Sequence, residues 1–241
     1  MKKNIIIMGA TSGIGLEVAR LFHRQGHSVA IAGRRMENLK RISTELGNCP
    51  YAQIDVTDTQ APQHLQELIE SLGGMDIYLH VSGIGKQNRQ LDTAIELSTV
   101  ETNTIGFTRL IDYVWHYFAR KGHGHIAAVT SIAGTKGMGA APSYSATKRY
   151  CNTYIEALSQ LAHIRGLDIT FTDIRPGFVD TELLSKDFHY PMMMKTQPVA
   201  RSIVKGILSG KRIVTIDWRF RILVFFWRLI PSWLWVRLKI V

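Results

Sequence analysis

The sequence predicts an α/β fold: a doubly wound, parallel sheet of about seven strands, with helices on both faces. Two patterns and one loop carry this expectation. Short β-branched runs alternate with longer segments whose apolar residues recur at three and four, the signature of strands alternating with helices. The short runs are apolar on both faces, as strands buried between two helical layers must be. The first of them leads into a glycine-rich turn that opens a helical segment. A chain of 241 residues is long enough for one large domain of this kind and cramped for two.

In chain order, strands are expected at 5–8 (IIIM), 29–32 (VAIA), 51–54 (YAQI), 77–81 (IYLHV), 125–129 (HIAAV) and 168–174 (DITFTDI). Helical periodicity fills 14–25, 36–46, 60–72, 92–120 and 143–165, with start signals at Asp58 before Pro62 and at Pro142 before Ser143. The opening MKKNIIIMGA carries the charge of a targeting peptide. Its apolar run is too short for one and leads straight into glycines, so it reads as a strand. Two cysteines, Cys49 and Cys151, without a CxxC, support neither a disulfide scaffold nor a zinc site and fit a reducing, cytoplasmic setting. His123 and His125 lack further ligands nearby, so no metal is expected.

The loop after the first strand is Gly9-Ala10-Thr11-Ser12-Gly13-Ile14-Gly15. Glycines let such a backbone turn sharply and approach a pyrophosphate, whose charge meets the free N–H groups of the helix start. The next strand ends Ala32-Gly33-Arg34-Arg35, with no carboxylate to hold a ribose 2′-hydroxyl. Guanidinium instead pairs with a 2′-phosphate, so NADP(H) is favoured, with Arg34 the leading contact and Arg35 a helper. Asp55-Val56 follows the third strand, where Asp55 either accepts from an adenine amino group or caps the next helix.

Tyr144 and Lys148 stand one helical turn apart in SYSATK, hence on one helix face. An ammonium so placed favours the phenolate, which equips a phenol to give or take a proton near neutrality. Ser131 ends the fifth predicted strand, Asn103 interrupts a helical segment where its propensity is poor, and Arg175-Pro176-Gly177-Phe178-Val179-Asp180-Thr181 follows the sixth. All of them reach the edge of the sheet that holds the glycine loop.

With these motifs in view, the chain resembles the short-chain dehydrogenase/reductase family in its compact single-domain branch. The likeness runs from about Lys3 to Thr181 and more weakly to Thr215, through GATSGIG, Asp55-Val56, NTIG, Ser131, YSATK and RPGFVDT. It implies a seven-stranded, Rossmann-like sheet. Tyr144 would be the acid of carbonyl reduction or the base of alcohol oxidation, and Lys148 its cation and a hold on the nicotinamide ribose. Ser131 would bond the substrate oxygen, and Asn103 would keep a water near Lys148. Ser82 and Gly83, the Pro176-Gly177 turn, Val179 and Thr181 would complete the cofactor site. Subunit contacts through 92–120 and 143–165, giving a homodimer or homotetramer, are implied in the same way. Two departures stand out: Met8 where the family usually has Thr, and His80-Val81-Ser82-Gly83 where it has Asn-Asn-Ala-Gly. The latter either loosens the central sheet or is offset by Ser82. The favoured activity is NADPH-dependent reduction of a ketone or aldehyde. The rivals are alcohol oxidation with NADP+ and a non-catalytic NADP(H)-binding sensor or scaffold.

The expected organisation is one domain over 1–215, with a substrate lid at 182–198, and a tail over 216–241. In the lid, Phe188, His189, Tyr190 and Pro191-Met192-Met193-Met194 offer either a soft cover for a lipophilic substrate or ordinary packing. The net charge of +10 suggests a polyanionic partner, but nine Lys/Arg against one acid between Arg201 and Val241 hold +8 of it. Basicity confined to a tail argues against nucleic acid as the domain's partner. WRFRILVFFWRLIPSWLWVRLKIV is broken by Arg228 and Pro231 well short of the ~20 residues of a spanning helix. Three readings fit it: an interfacial segment on an anionic bilayer, a wall shared between subunits, or packing on its own domain.

Overall fold

The computed structural model describes residues 1–184 and 190–239. Seven parallel strands form one sheet: β1 (Asn4–Met8), β2 (Ser28–Gly33), β3 (Tyr51–Gln53), β4 (Ile77–His80), β5 (His123–Val129), β6 (Asp168–Arg175) and β7 (Ile213–Thr215). Their spatial order is β3-β2-β1-β4-β5-β6-β7. The chain winds outward from β1 to β3, then returns to β4 on the other side of β1. The carboxyl ends of β1 and β4 therefore flank the crevice where winding reverses, the place such sheets bind ligands.

Helices α1 (Gly13–Arg24), α2 (Met36–Glu45) and α7 (Thr196–Leu208) cover one face, burying Val18, Phe22, Leu39 and Ile203 against Ile5, Ile7 and Ile31. Helices α3 (Ala61–Leu72), α5 (Phe107–Lys121) and α6 (Pro142–Ile164) cover the other, where Leu65, Leu110, Val114 and Ile155 meet Ile6, Met8 and Tyr78. Consecutive isoleucines in β1 thus serve opposite layers, which is why its sequence is continuously apolar. Each such side chain, fully buried, contributes about 1.5–3 kcal/mol of hydrophobic stabilisation.

The structure departs from sequence expectation in the segment 92–120 and adds detail at the seventh strand and the triple methionine. The segment 92–120 is not one regular helix: α4 (Thr93–Val100) and α5 are joined by a π-helical turn, Glu101–Gly106. Gly106 has no Cβ because one would lie 2.7 Å from the Val56 carbonyl oxygen, so the turn sits directly on the loop after β3. The seventh strand, Ile213–Thr215, is three residues long, too short to show a period. The triple methionine does not form a uniform soft cover. Met194 is buried and bridges to Val179, Met192 packs against the core, and Met193 is exposed.

Beyond β7 the chain turns at Asp217, in the left-handed region at φ 72°, into α8 (Trp218–Leu229) and a short α9 (Ser232–Trp235). Phe220 and Val224 of α8 join the α1–α7 core. The inner face of the tail thus packs on its own domain. Among the described residues no helix is long and apolar enough to cross a membrane.

Candidate active site

The crevice is built first by glycines. Gly9 has φ +93°, and an added Cβ would lie 2.6 Å from the Ser82 amide nitrogen, so the loops after β1 and β4 touch there. At Gly15 a Cβ would overlap the Gly9 carbonyl, which forces the start of α1 tightly onto the loop. Gly13, at φ +56°, faces the Thr181 methyl. Ser12 caps α1 without a side-chain hydrogen bond to it, leaving the amides of the helix start to a ligand or water. This closely packed loop, open at a helix N-terminus, fits a dinucleotide pyrophosphate. Ile14 packs behind it against the core.

The two expected arginines behave differently. Arg35, not Arg34, lies on the glycine loop. Its guanidinium donates to Thr11 Oγ1 (3.0 and 3.2 Å) and Ser12 Oγ (2.6 Å) and pairs with Glu182 at 2.7 Å. That pairing, with a hydrogen bond donated by Ser12 Oγ to the same carboxylate (3.1 Å), holds the Glu182 carboxyl below its usual range. Arg34 is exposed, and no hydrogen bond or ion pair joins its side chain to another described residue. Asp55 does not cap α3, whose N-cap is Gln60; its Oδ1 closes the turn after β3 by accepting from the amide and hydroxyl of Thr57 (3.0 and 2.8 Å). Val56 is buried, and its carbonyl accepts from Arg109 at 2.8 Å, tying the loop to α5.

The departures from the family pattern are absorbed locally. Met8 is fully buried in the second core layer, and its carbonyl accepts from the amides of Val81 (2.8 Å) and Ser82 (3.1 Å). His80 is buried, takes a hydrogen bond at Nδ1 with the Tyr78 hydroxyl (3.0 Å) and packs edge-on against Phe107. Burial, with Lys148 nearby, lowers its pKa to about 3, so the ring is neutral.

Tyr144 and Lys148 emerge on one face of α6, with the ammonium 5.7 Å from the phenol ring centroid. Lys148 is 94 % buried by area, exposing only 6 %, and one N–H is held by the Val129 carbonyl at 3.2 Å. Gly83 faces the same ammonium: a Cβ there would lie 3.4 Å from Lys148 Nζ and 3.2 Å from Asn103 Oδ1. Asn103 lies in the π turn. Its amide clamps Ile84, accepting from the nitrogen (2.8 Å) and donating to the carbonyl (2.7 Å), and also donates to Thr147 Oγ1 (3.2 Å). Its poor helical position is explained by that clamp, which fixes the backbone after β4 beside Lys148. Gly85 follows directly, with space for a Cβ taken by the Tyr144 ring at 2.6 Å.

Ser131 lies at the end of β5, starting a 3-10 turn over Ile132–Thr135, and its Oγ accepts from the Ala133 amide at 3.0 Å. That bond leaves the hydroxyl proton free to donate. The turn is bound on two sides: Ile132 donates to the Pro176 carbonyl (3.1 Å), and Gly134 abuts the Lys148 backbone. Gly177 presses against the Phe220 ring, and Val179 pairs with Met194 across an isolated parallel bridge. Of the expected lid residues, Phe188 and His189 lie outside the described residues. Tyr190 packs on Phe178 with ring centroids 5.0 Å apart.

Three contributors were not read from the sequence. Glu182 is the first; its place directly after Thr181 was the available signal. Glu96 is the second: it accepts from the amide (3.0 Å) and hydroxyl (3.1 Å) of Ser143, holding the N-terminus of α6 just before Tyr144. The third is a buried network behind Ser131. Thr130 donates to Asp173 (2.5 Å), and Asp173 pairs with Arg175 (2.6 Å). In the orientation that satisfies both of its amide atoms, Asn152 donates to Thr130 and to the Lys148 carbonyl and accepts from Arg175. Sequence spacing alone gives no sign that these residues meet.

A doubly wound sheet with a tightly turned glycine loop at its switch point, and with Tyr144 and Lys148 reaching Gly85 and Gly83 after β4, has the form of a nucleotide-binding α/β protein. The family model for short chain dehydrogenases matches residues 3–190. An uncharacterized oxidoreductase of Myxococcus xanthus is 28% identical over 91% of this chain and 89% of its own. An NADP-dependent 3-hydroxy acid dehydrogenase of Shigella flexneri is 31% identical over 73% of this chain and 72% of its own. Among solved structures, ElxO with NADP bound superposes with a TM-score of 0.81 at 24% identity, covering 92% of this chain and 99% of that one. The chain belongs to the short-chain dehydrogenase family and is an NAD(P)-dependent dehydrogenase/reductase.

Proposed function

We propose that this protein is an NADPH-dependent reductase of a ketone or aldehyde, most suited to a lipophilic one. The observation that carries the reading is the buried Lys148 ammonium beneath the Tyr144 ring, with Gly83 and Asn103 closing on it at the switch point. When bound, the reduced dinucleotide supplies a hydride to the carbonyl carbon. Tyr144 then delivers the proton to the carbonyl oxygen, and the free Ser131 proton bonds that oxygen as charge develops on it. Lys148, anchored by Val129, keeps further N–H groups for the ribose. Asn103 holds the Ile84 backbone and, with it, the floor beside the ammonium.

NADP(H) rather than NAD(H) is supported by Arg34 and Arg35 without a carboxylate at the end of β2, and by the NADP named for two similar proteins. Reduction is the favoured direction because cells generally hold this cofactor reduced. The division into a catalytic unit over 1–215, a substrate segment over 182–198 and a tail over 216–241 is part of the same reading, as is a reducing cytoplasmic setting. So is a homo-oligomer formed through the segments 92–120 and 143–165, where α4 exposes Leu97, the π turn Ile105, and α6 Tyr150 and Leu161.

The test is a carbonyl panel, including long-chain and steroidal ketones, followed by NADPH absorbance in both directions. Turnover is expected in wild type and lost in Tyr144→Phe, with NADPH binding retained. Binding without turnover of any carbonyl or alcohol would instead support a non-catalytic NADP(H)-binding protein.

A further inference from the structure

α8 and α9 present two apolar faces, one packed on the domain and one open to solvent. Inward, Phe220 and Val224 are buried, Trp235 Nε1 donates to the Gly137 carbonyl at 2.7 Å, and Lys136 donates to the Ile230 carbonyl at 2.7 Å. Outward, Trp218, Ile222, Phe225 and Leu229 recur at four and three along α8, with Phe226 and Trp233 beside them. Trp218 is 68% exposed, Phe225 61%, Leu229 64% and Trp233 62%. A water-facing helix side of this composition is far more apolar than a solvated surface requires. Arg221, Arg228 and Arg237 are exposed among these residues.

We infer that this outer face docks on an anionic phospholipid bilayer, lying in its interface. Charge decides between a bilayer and a second copy of the chain. The only acid between 201 and 241, Asp217, is spent on Arg219 at 2.6 Å. A two-fold contact would bring the same face against itself. Arg221, Arg228 and Arg237 would then meet like charges, with no carboxylate of the tail left to answer them. Lipid phosphates supply that complement, and acyl chains accept the tryptophans and phenylalanines. Neither helix can span: α8 has 12 residues and α9 four.

The placement has a consequence for substrate, which rests on the reductase reading above. α8 and α9 are fastened to the segments that flank the candidate site: Gly137 and Lys136 follow the Ser131 turn, and Gly177 and Phe178 precede the substrate segment. A bilayer under the tail therefore lies next to the loops a substrate must pass. A carbonyl lipid dissolved in that bilayer is the substrate class this arrangement serves.

The experiment is flotation of the full chain with phosphatidylcholine vesicles, with and without phosphatidylglycerol, at low and high salt. Wild type is expected to float with the anionic vesicles and to be released by salt. Arg221→Glu/Arg228→Glu is expected to reduce partitioning by at least about 25-fold, from about fivefold per basic side chain. Ile222→Asp/Phe225→Asp is expected to abolish it. These positions are exposed, and retained turnover of a water-soluble ketone checks that each variant is folded. Absence of wild-type flotation, or unchanged flotation of both variants, overturns the docking. So does a wild-type dimer that does not float and that the same substitutions dissociate. A long-chain ketone held in the vesicles should be turned over by wild type and poorly by the variants; equal turnover overturns the delivery of substrate and leaves docking standing. If wild type turns over no ketone at all, the reductase reading fails while the flotation result still decides docking.

Discussion

At the residue scale, the candidate site is held by contacts too close to tolerate added atoms. Gly85 is the sharpest case, because its missing Cβ is the space filled by the Tyr144 ring. Gly85→Ala should push that ring off its position while leaving distant packing alone. We expect kcat to fall by at least about tenfold, the effect of a small misplacement of a reacting group. NADPH affinity and thermal stability should change little; an unaltered kcat would show that the ring moves without consequence. Arg35 offers a second case. Glu182 neutralises it at 2.7 Å, with both groups largely in solvent. A 2′-phosphate arriving there would meet a guanidinium already paired and a carboxylate that repels it. Glu182→Gln should lower KM for NADPH by a few-fold, in keeping with the modest worth of exposed ion pairs, and leave NADH unaffected. Equal changes for both cofactors would remove Arg35 from the phosphate site. Arg34, joined by its side chain to no described residue, is the other candidate for that phosphate. Tyr144, Lys148 and the arginine pair were visible in the sequence because spacing and charge sign carry their meaning. Gly85 was not, since a lone glycine says nothing about which ring fills the space it leaves.

At the element scale, legibility followed period and length. β1, β2, β5 and β6 have enough apolar residues to declare themselves, and α1, α2, α3 and α6 have whole amphipathic turns. The π turn between α4 and α5 was hidden, because a helix that gains one residue in a turn keeps nearly the same apolar rhythm. Only the awkward Asn103 hinted at it. β7 was hidden by its three residues. The N-terminus of α6 was legible from Pro142, but its true fastening, Glu96 on α4, lies 47 residues from Ser143. This carboxylate meets the positive end of a helix and two donors at once. Glu96→Ala should therefore lower global stability by about 1–2 kcal/mol, the cost of losing a helix cap, measured by denaturant unfolding. It should also loosen the turn that carries Tyr144. kcat should fall more than NADPH affinity, and Glu96→Gln, which can still accept from Ser143, should restore most of both. Loss of stability without any change in kcat would mean that the cap serves the helix and not the phenol.

At the scale of the whole molecule, the buried histidines give the fold a direction in pH. His80 lies in the central strand and His125 in its neighbour β5, and burial lowers them from 6.5 to about 3 and about 4 respectively. The folded state thus keeps both rings neutral at a pH where the unfolded chain has already taken up protons. Above pH 6.5 neither state binds a proton at these sites and they contribute no pH dependence. As pH falls below that value, the unfolded state gains protons that the fold refuses, and stability drops. The slope approaches about 1.4 kcal/mol per pH unit for each histidine, until the folded pKa is reached. Asp76, whose carboxyl is lowered by the Asn4 amide and Lys121 despite its burial, adds to the loss only as pH falls into the carboxylate range. Unfolding free energy measured from pH 7 downward should therefore decline well before ordinary carboxylates titrate. His80→Asn, which keeps a polar group at the sheet centre without a titrating ring, should shallow that decline by up to half between pH 6 and 4.5. Hydrogen bonding to Tyr78 is lost in the variant, so its stability at pH 7 is expected to be lower, and the slope is the quantity that decides. An acid limb as steep in the variant as in wild type would mean that His80 is not the neutral, buried base the fold makes of it.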